Sequence, residues 1–273
     1  MGIVIGIDVG GSTTKIVGMR NGEMVSPLMV KASDPKASIF GAFGRFLDDN
    51  HLSLADVNRI MVTGVGSSAV KEDIYGIPTE HVGEFRANGR GGLFLSKLDH
   101  AVIVSMGTGT ALVAAKGKTA NHICGTGIGG GTLLGLSNRM LNIRGFDSLV
   151  AAAQGGDLEQ VDLMVNDLTT EQLPNLPEWT TASNFGRVSE LAGQNDLAMG
   201  IINLVFQSIG VTSMLAARLE GTKKIVLIGS LTEVPYARDI FSRLEVLYDV
   251  NYIIPEYAEF ATSAGAALCG MED

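Results

Sequence analysis

The sequence of 273 residues has few cysteines, few basic residues and no long apolar run. It contains two cysteines, Cys124 and Cys269, which do not indicate a disulfide framework. Lysines and arginines number 20 against 29 aspartates and glutamates, and this net charge of -9 without a basic run argues against nucleic-acid binding. No apolar run resembles a membrane span, and no basic segment with a following apolar stretch marks a signal peptide. These absences predict a cytoplasmic protein that binds neither nucleic acid nor membranes.

Apolar residues and glycine are abundant instead. Hydrophobic residues make up 46% of the chain, which allows a substantial core, and the length is sufficient for two compact domains. Many of the 35 glycines fall in clusters. Because glycine lets the backbone turn sharply and approach a ligand closely, the clusters indicate several backbone loops around one ligand.

The first 17 residues hold the most informative pattern in the chain. Two apolar, β-branched runs predict two strands, and the turn between them is rich in small, hydroxyl-bearing and basic residues: Gly10, Gly11, Ser12, Thr13 and Lys15. The glycines bring N–H groups close to an anion, and the hydroxyls and the lysine suit a phosphate tail. Asp8 ends the first strand, where a carboxylate can hold Mg²⁺ through water. The pattern predicts ATP binding without a Walker loop.

Strand and helix patterns then alternate, which predicts an α/β protein. Strands are expected at 24–30, 59–63, 101–105, 112–115, 223–230 and 251–254, and helices at 37–49, 146–153, 161–168, 197–219, 236–248 and 257–268. A second strand–loop–strand unit around residues 106–111 repeats the opening design. We therefore expect two similar domains, residues 1–96 and 97–273. Residues 173–179 are predicted to form a proline-containing loop, and Asp157, Glu159 and Asp162 to lie on a solvated helix face.

Four glycine-containing loops are candidates for one nucleotide site. Besides the opening turn, they comprise Gly107, Thr108 and Gly109; Gly125, Thr126, Gly127, Gly129, Gly130 and Gly131; and Gly229 and Ser230. Each follows a predicted strand or precedes a helix, where free backbone N–H groups can meet phosphate or ribose. The alternative for residues 125–131 is a flexible linker.

The chain resembles the type II pantothenate kinases through motifs that occur in order. They are residues 6–12 with Lys15, Glu84-Phe85, residues 107–110, residues 125–131, residues 181–186 and residues 228–230. The resemblance implies two actin-like, ribonuclease H-like α/β domains with MgATP in the cleft between them. It also implies a homodimer, with residues 197–219 as a candidate interface. The implied reaction transfers the γ-phosphoryl group of ATP to pantothenate, the first step of coenzyme A synthesis.

The same resemblance implies roles for individual residues. Glu84 would be the general base, although an acidic residue at this place can equally stabilise a helix start. Asp8 and Lys15 would act on the phosphates, and Phe185 would belong to the nucleotide site. Thr108, Ala111 and His122 would line the acceptor pocket. This pocket departs from the family, which often has serine at Ala111, arginine at His122 and an acidic residue at Arg86.

Two alternatives remain open from the sequence. The altered pocket favours a kinase of another small alcohol, either a pantetheine-like compound or a sugar. The second alternative is an ATPase that activates a 2-hydroxyacyl-CoA dehydratase, since such activators share the opening motif and have a cysteine before a Gly-Thr-Gly run. Cys124 occupies that place here, and a shared iron–sulfur cluster would also require Cys269.

Overall fold

The first of two five-stranded sheets is built from the N-terminal third of the chain. The computed structural model describes residues 2–31, 34–169, 171 and 176–271. The strands of the first sheet are β1 (Ile3–Val9), β2 (Thr13–Arg20), β3 (Glu23–Lys31), β4 (Val57–Thr63) and β5 (Thr79–His81), in the order β3-β2-β1-β4-β5. β1, β2 and β3 are antiparallel, whereas β4 and β5 run parallel to β1.

Helix α1 (Pro35–Asp49) covers one face of this sheet. Asp34 caps it by accepting a hydrogen bond from the Ala37 N–H at 2.7 Å, and proline occupies the first helical position, where its missing N–H has no consequence. Its buried residues Ile39 and Phe43 belong to the same core as the isoleucines of β1. The helix expected at 37–49 is confirmed.

The second sheet repeats the topology of the first. Its strands are β6 (His100–Met106), β7 (Thr110–Lys116), β8 (Thr119–Thr126), β11 (Lys224–Ile228) and β12 (Asn251–Ile253), in the order β12-β11-β6-β7-β8. Again three strands are antiparallel and two run parallel to the first of them. This repetition agrees with the expected pair of similar α/β units.

The remaining segments lie between β8 and the C-terminus. They are α3 (Gly130–Leu141), α4 (Phe146–Ala152), β9 (Leu163–Met164), α5 (Val165–Leu168), β10 (Thr181–Ser183), α6 (Gln194–Leu219) and α7 (Ala237–Tyr248). By length and composition α6 could cross a membrane, but 61% of its most apolar window is buried inside the structure. Its apolar character is therefore explained by its place in the core beneath the second sheet.

Two helices, α2 (Glu84–Ser96) and α8 (Ala261–Gly270), connect the two sheets. α2 contacts β6, β7 and β8, whereas α8 contacts β1, β2 and β4. The helices cross so closely that a Cβ atom on Gly265 would lie 1.9 Å from the Ala87 carbonyl oxygen. Thus the C-terminal helix packs on the N-terminal sheet, and the division at Ser96 into residues 1–96 and 97–273 stays a prediction.

Several local expectations are wrong. Residues 161–168 form the short β9 and the single turn α5 rather than one helix, because β9 pairs with β10. Asp162 does not lie on a solvated face: its side chain is fully buried. The helix expected from residue 257 begins at Ala261, after one 3-10 turn. In the predicted loop at 173–179, residues 173–175 lie outside the described residues, as does Met1 of the opening hairpin.

Candidate active site

The opening hairpin and the Gly229–Ser230 loop meet through one hydrogen bond between the two halves of the chain. Asp8 and Lys15 are register partners on β1 and β2, so their side chains lie on the same face of the first sheet. Lys15 is 5% exposed, and its Nζ donates to the Ser230 Oγ at 2.9 Å. This contact joins residues 215 positions apart and brings a cation to the boundary between the two sheets.

The two other glycine loops pack directly on each other. The N–H groups of Gly130 and Gly131 donate to the carbonyl oxygens of Gly107 and Thr108, each at 2.9 Å. A Cβ atom on Gly129 would lie 2.7 Å from the Thr108 carbonyl oxygen, which explains why side chains are absent here. The expectation of free N–H groups is therefore wrong for Gly130 and Gly131, because these donors are used within the protein.

The Gly229–Ser230 loop also contacts the second hairpin. Gly229 has φ +97°, and a Cβ atom on it would lie 2.5 Å from the Met106 carbonyl oxygen. Only glycine fits both this backbone conformation and this approach. Through these contacts the structure brings all four sequence-predicted loops together at the boundary between the sheets.

The charged groups at this boundary shift one another's pKa values. Burial raises the pKa of Asp8 to about 6, although Lys15 lowers it, and the nearby Glu84 raises it further. Burial likewise lowers the pKa of Lys15, against the effects of Asp8, Glu259 and Glu233. Perturbed groups of opposite sign in one cleft are typical of a functional site.

Glu84 is the first residue of α2, directly after Gly83. Burial raises the pKa of its half-buried carboxyl group. The residue is therefore compatible with both interpretations from the sequence: it lies in the first helical turn, and it is near enough to Asp8 to raise the pKa of that group. A carboxyl group with a raised pKa is suited to accept a proton near neutral pH.

His122 contacts the aromatic ring of Phe85, the residue after Glu84. The sequence does not predict this contact. The rings of Phe85 and His122 are stacked, with centroids 4.1 Å apart and planes 12° apart. His122 lies on β8, and its Nε2 would be 3.8 Å from a Cβ atom on Gly125. Ala111, on β7, is the register partner of Gly125. The structure thus places His122 and Ala111 beside Gly125, at the start of the glycine loop 125–131. His122 also lies beside the helix that begins with Glu84. Thr108 is exposed at the tip of the second hairpin.

Phe185 contacts residues other than those of the four glycine loops. Its N–H donates to the buried Asp162 carboxylate at 2.9 Å, and Asp162 also accepts from the Asn203 side chain at 2.8 Å. The Phe185 ring packs on α6, where a Cβ atom on Gly200 would lie 3.1 Å from its Cζ atom. These contacts do not join Phe185 to the four loops, so its nucleotide role stays a prediction.

The cysteines lie on separate elements. Cys124 is half-buried on β8, whereas Cys269 is buried in α8 in a core with residues of the first sheet. This burial gives no support to an iron–sulfur cluster shared between subunits. Across the described ranges, no three His, Cys, Asp or Glu side chains are grouped as metal ligands. A single carboxylate at a strand end, as at Asp8, still suits Mg²⁺, which keeps several waters.

Thr63 and Gly64 are neighbours of Asp8 that sequence reasoning missed. Gly64 has φ +86°, and a Cβ atom on it would lie 2.5 Å from the Asp8 Oδ1 and 2.6 Å from the Val9 carbonyl oxygen. The glycine therefore allows β4 to end against the Asp8 carboxyl group. The Gly64-Val-Gly66 run after a predicted strand is the only signal in the sequence for this contact.

The chain is similar in sequence to known kinases and in fold to actin-like proteins. Residues 95–238 match the family model described as Fumble. The type II pantothenate kinase of Oceanobacillus iheyensis is 30% identical over 82% of this chain and 83% of its own length. That of Staphylococcus saprophyticus is 29% identical over 96% and 97%, respectively.

Two solved structures show the fold alone because their sequence identities are low. An activator of 2-hydroxyisocaproyl-CoA dehydratase from Clostridium difficile, with bound ADPNP, has a TM-score of 0.71 at 15% identity, covering 99% of this chain and 94% of its own. A ROK-family glucokinase from Streptomyces griseus, in complex with glucose and AMPPNP, has a TM-score of 0.63 at 13% identity, covering all of both chains. The expected actin-like fold is confirmed.

Proposed function

Because this chain belongs to the Fumble family and is a member of the type II pantothenate kinases, we propose that it transfers the γ-phosphoryl group of ATP to the primary hydroxyl of pantothenate. This reaction is the first step of coenzyme A biosynthesis. The observation that carries the proposal to particular residues is the series of contacts that joins the four glycine loops, with Lys15 bonded to Ser230 and with Lys15 and Glu84 both near enough to Asp8 to shift its pKa.

The phosphate chain of ATP binds between the opening hairpin and the glycine loops. Lys15 places its ammonium group against the phosphates, where it balances charge that develops during transfer. Gly10, Gly11, Ser12 and Thr13 form the turn that approaches the phosphates, and the Gly229–Ser230 loop borders the same space. Asp8 is the carboxylate that would hold Mg²⁺, and the ion would neutralise phosphate charge there.

Glu84 accepts the proton of the attacking hydroxyl group. Its carboxyl is placed by the start of α2, and burial raises its pKa, which makes it a stronger base than an exposed glutamate. The acceptor lies between Glu84 and the side formed by Thr108, Ala111 and His122. In solution the enzyme is a cytoplasmic homodimer, for which the partly exposed apolar side chains of α6, such as Leu215, offer an interface.

The experiment compares ADP release from MgATP with and without pantothenate, in the wild type and in Glu84→Gln. We expect pantothenate-dependent release that falls by a factor of about 100 or more in the variant, because a general base contributes this much to the rate. Glu80→Gln is the matched control, since Glu80 is an exposed residue on β5 that pairs with Arg59 at 3.5 Å. ATP binding without pantothenate-dependent release would reject the acceptor.

A second acceptor is favoured by the stack of Phe85 on His122. A histidine that packs on an aromatic ring is a weaker partner for a carboxylate than the forked guanidinium of arginine. Pantetheine has the same primary hydroxyl but no carboxylate, so it depends less on such an anchor. Competition between pantothenate and pantetheine for ADP release, repeated in His122→Arg, distinguishes the two. A shift of preference toward pantothenate in the variant would support the role of His122 in acceptor choice.

A further inference from the structure

Thr63 lies at the end of β4, directly beside Asp8. The two residues are register partners on parallel neighbouring strands. Ile7 and Val62, one position earlier, face the core under α1. Because side chains alternate along a strand, Asp8 and Thr63 both point to the opposite face, on which α8 and Lys15 lie.

Glu84 follows β5, the strand that neighbours β4 in the same sheet. β5 pairs in parallel with β4, and the Val82 N–H donates to the Val62 carbonyl oxygen at 2.9 Å. Glu84 begins α2 two residues later. Thr63 therefore lies on the strand between β1, which contains Asp8, and β5, which leads to Glu84.

The Thr63 side chain is fully buried, and its hydroxyl group has no hydrogen-bond partner among the described residues. An unpaired buried hydroxyl is unfavourable for the folded state, so a valine of the same shape would be tolerated as well or better. Gly64 contributes to this arrangement by holding the end of β4 close to the Asp8 carboxyl group. A polar group kept without a partner next to a desolvated carboxylate indicates a functional requirement.

We propose that the Thr63 hydroxyl group is a positioning donor for the Asp8 carboxylate when MgATP binds. Resting on the proposed nucleotide site, this inference adds a residue that acts through Asp8 and does not touch the acceptor. One Asp8 oxygen accepts from the Thr63 Oγ1–H, so the carboxylate is held in one rotamer with its other oxygen toward the nucleotide. Thr63 thus contributes to affinity for MgATP and does not affect the basicity of Glu84.

The test compares Thr63→Val with Thr63→Ser, first by MgATP binding without any acceptor. We expect Thr63→Val to melt at the wild-type temperature or above without ligand, and to bind MgATP about tenfold to a hundredfold more weakly, the loss of one charge-assisted hydrogen bond. Thr63→Ser keeps the hydroxyl group and should bind within about twofold of the wild type. Thr79→Val is the matched control, because the Thr79 hydroxyl is already paired, with Ile74 and Ile77. It should lower the melting temperature and leave MgATP affinity unchanged.

Steady-state kinetics give the second measurement. In Thr63→Val we expect the KM for MgATP to rise while kcat stays within about threefold of the wild type, since the general base is untouched. Unchanged MgATP affinity in Thr63→Val, an equal loss in Thr63→Ser, or a lower melting temperature without ligand would overturn the proposal. Because binding is measured without acceptor, the comparison remains decisive even if pantothenate is not phosphorylated.

Discussion

Replacement of Gly64 by alanine tests whether the end of β4 is shaped around Asp8. The substitution has two separable consequences. An L-residue at φ +86° is strained by about 1–2 kcal/mol. The added Cβ would also lie 2.6 Å from the Val9 carbonyl oxygen and 2.5 Å from the Asp8 Oδ1, and such overpacking costs about 1–3 kcal/mol. We therefore expect Gly64→Ala to lose roughly 2–5 kcal/mol of unfolding free energy, the sum of these ranges.

Gly22 provides a matched control for the backbone contribution. It has φ +83°, but a Cβ atom on it would meet nothing within 4 Å. Gly22→Ala should therefore lose only about 1–2 kcal/mol. Urea unfolding gives both values, and titration with MgATP shows whether the displaced Asp8 carboxylate still supports binding. Equal destabilisation of the two variants, with normal MgATP affinity in Gly64→Ala, would refute the close contact between Gly64 and Asp8.

Two further predictions concern buried carboxylates. The folded state raises the pKa of Asp8 from 3.8 to about 6, so this group's favourable contribution is complete below pH 3.8 and is lost as the pH rises through about 6. Asp8→Asn should thus increase the unfolding free energy at pH 7 by about 1–3 kcal/mol while MgATP-dependent turnover is lost, and reduced stability would contradict the burial argument. Asp162→Asn should lower the unfolding free energy by about 2–4 kcal/mol, because the Phe185 N–H and the Asn203 amide lose a buried anionic acceptor. The exposed Asp147→Asn is its control, and equal unfolding midpoints would contradict the role of Asp162.

The sequence predicts those parts of the fold whose pattern of apolar residues lies within one continuous segment. The two hairpins, α1 and α6 each have a continuous pattern of apolar residues with the period of a strand or a helix. The sequence does not predict β5, β8 or β10, because β5 and β10 have three residues each without a large apolar side chain and β8 consists mostly of polar or small residues. Residues 161–168 were misassigned because the pairing of β9 with β10 overrides helical spacing.

For the candidate site, too, the sequence predicts local features but not the contacts between distant segments. Glycine clusters marked all four loops, because close backbone approach excludes side chains wherever it occurs. Their hydrogen bonds could not be predicted, since the N–H groups of Gly130 and Gly131 are used by a hairpin more than 20 residues earlier. The stack of Phe85 on His122 and the pairing of Thr63 with Asp8 join distant segments, so they become visible only in the folded chain.

The most direct test of the proposed function is identification of the product formed from ATP and pantothenate. The purified chain is incubated with MgATP and isotopically labelled pantothenate, and the labelled product is analysed by mass spectrometry, with Glu84→Gln in parallel. We expect 4'-phosphopantothenate in amounts equal to the ADP released, and a product level near background in the variant. ADP released without phosphorylated pantothenate, or product formed equally well by Glu84→Gln, would contradict the assignment of Glu84 as the base of a pantothenate kinase.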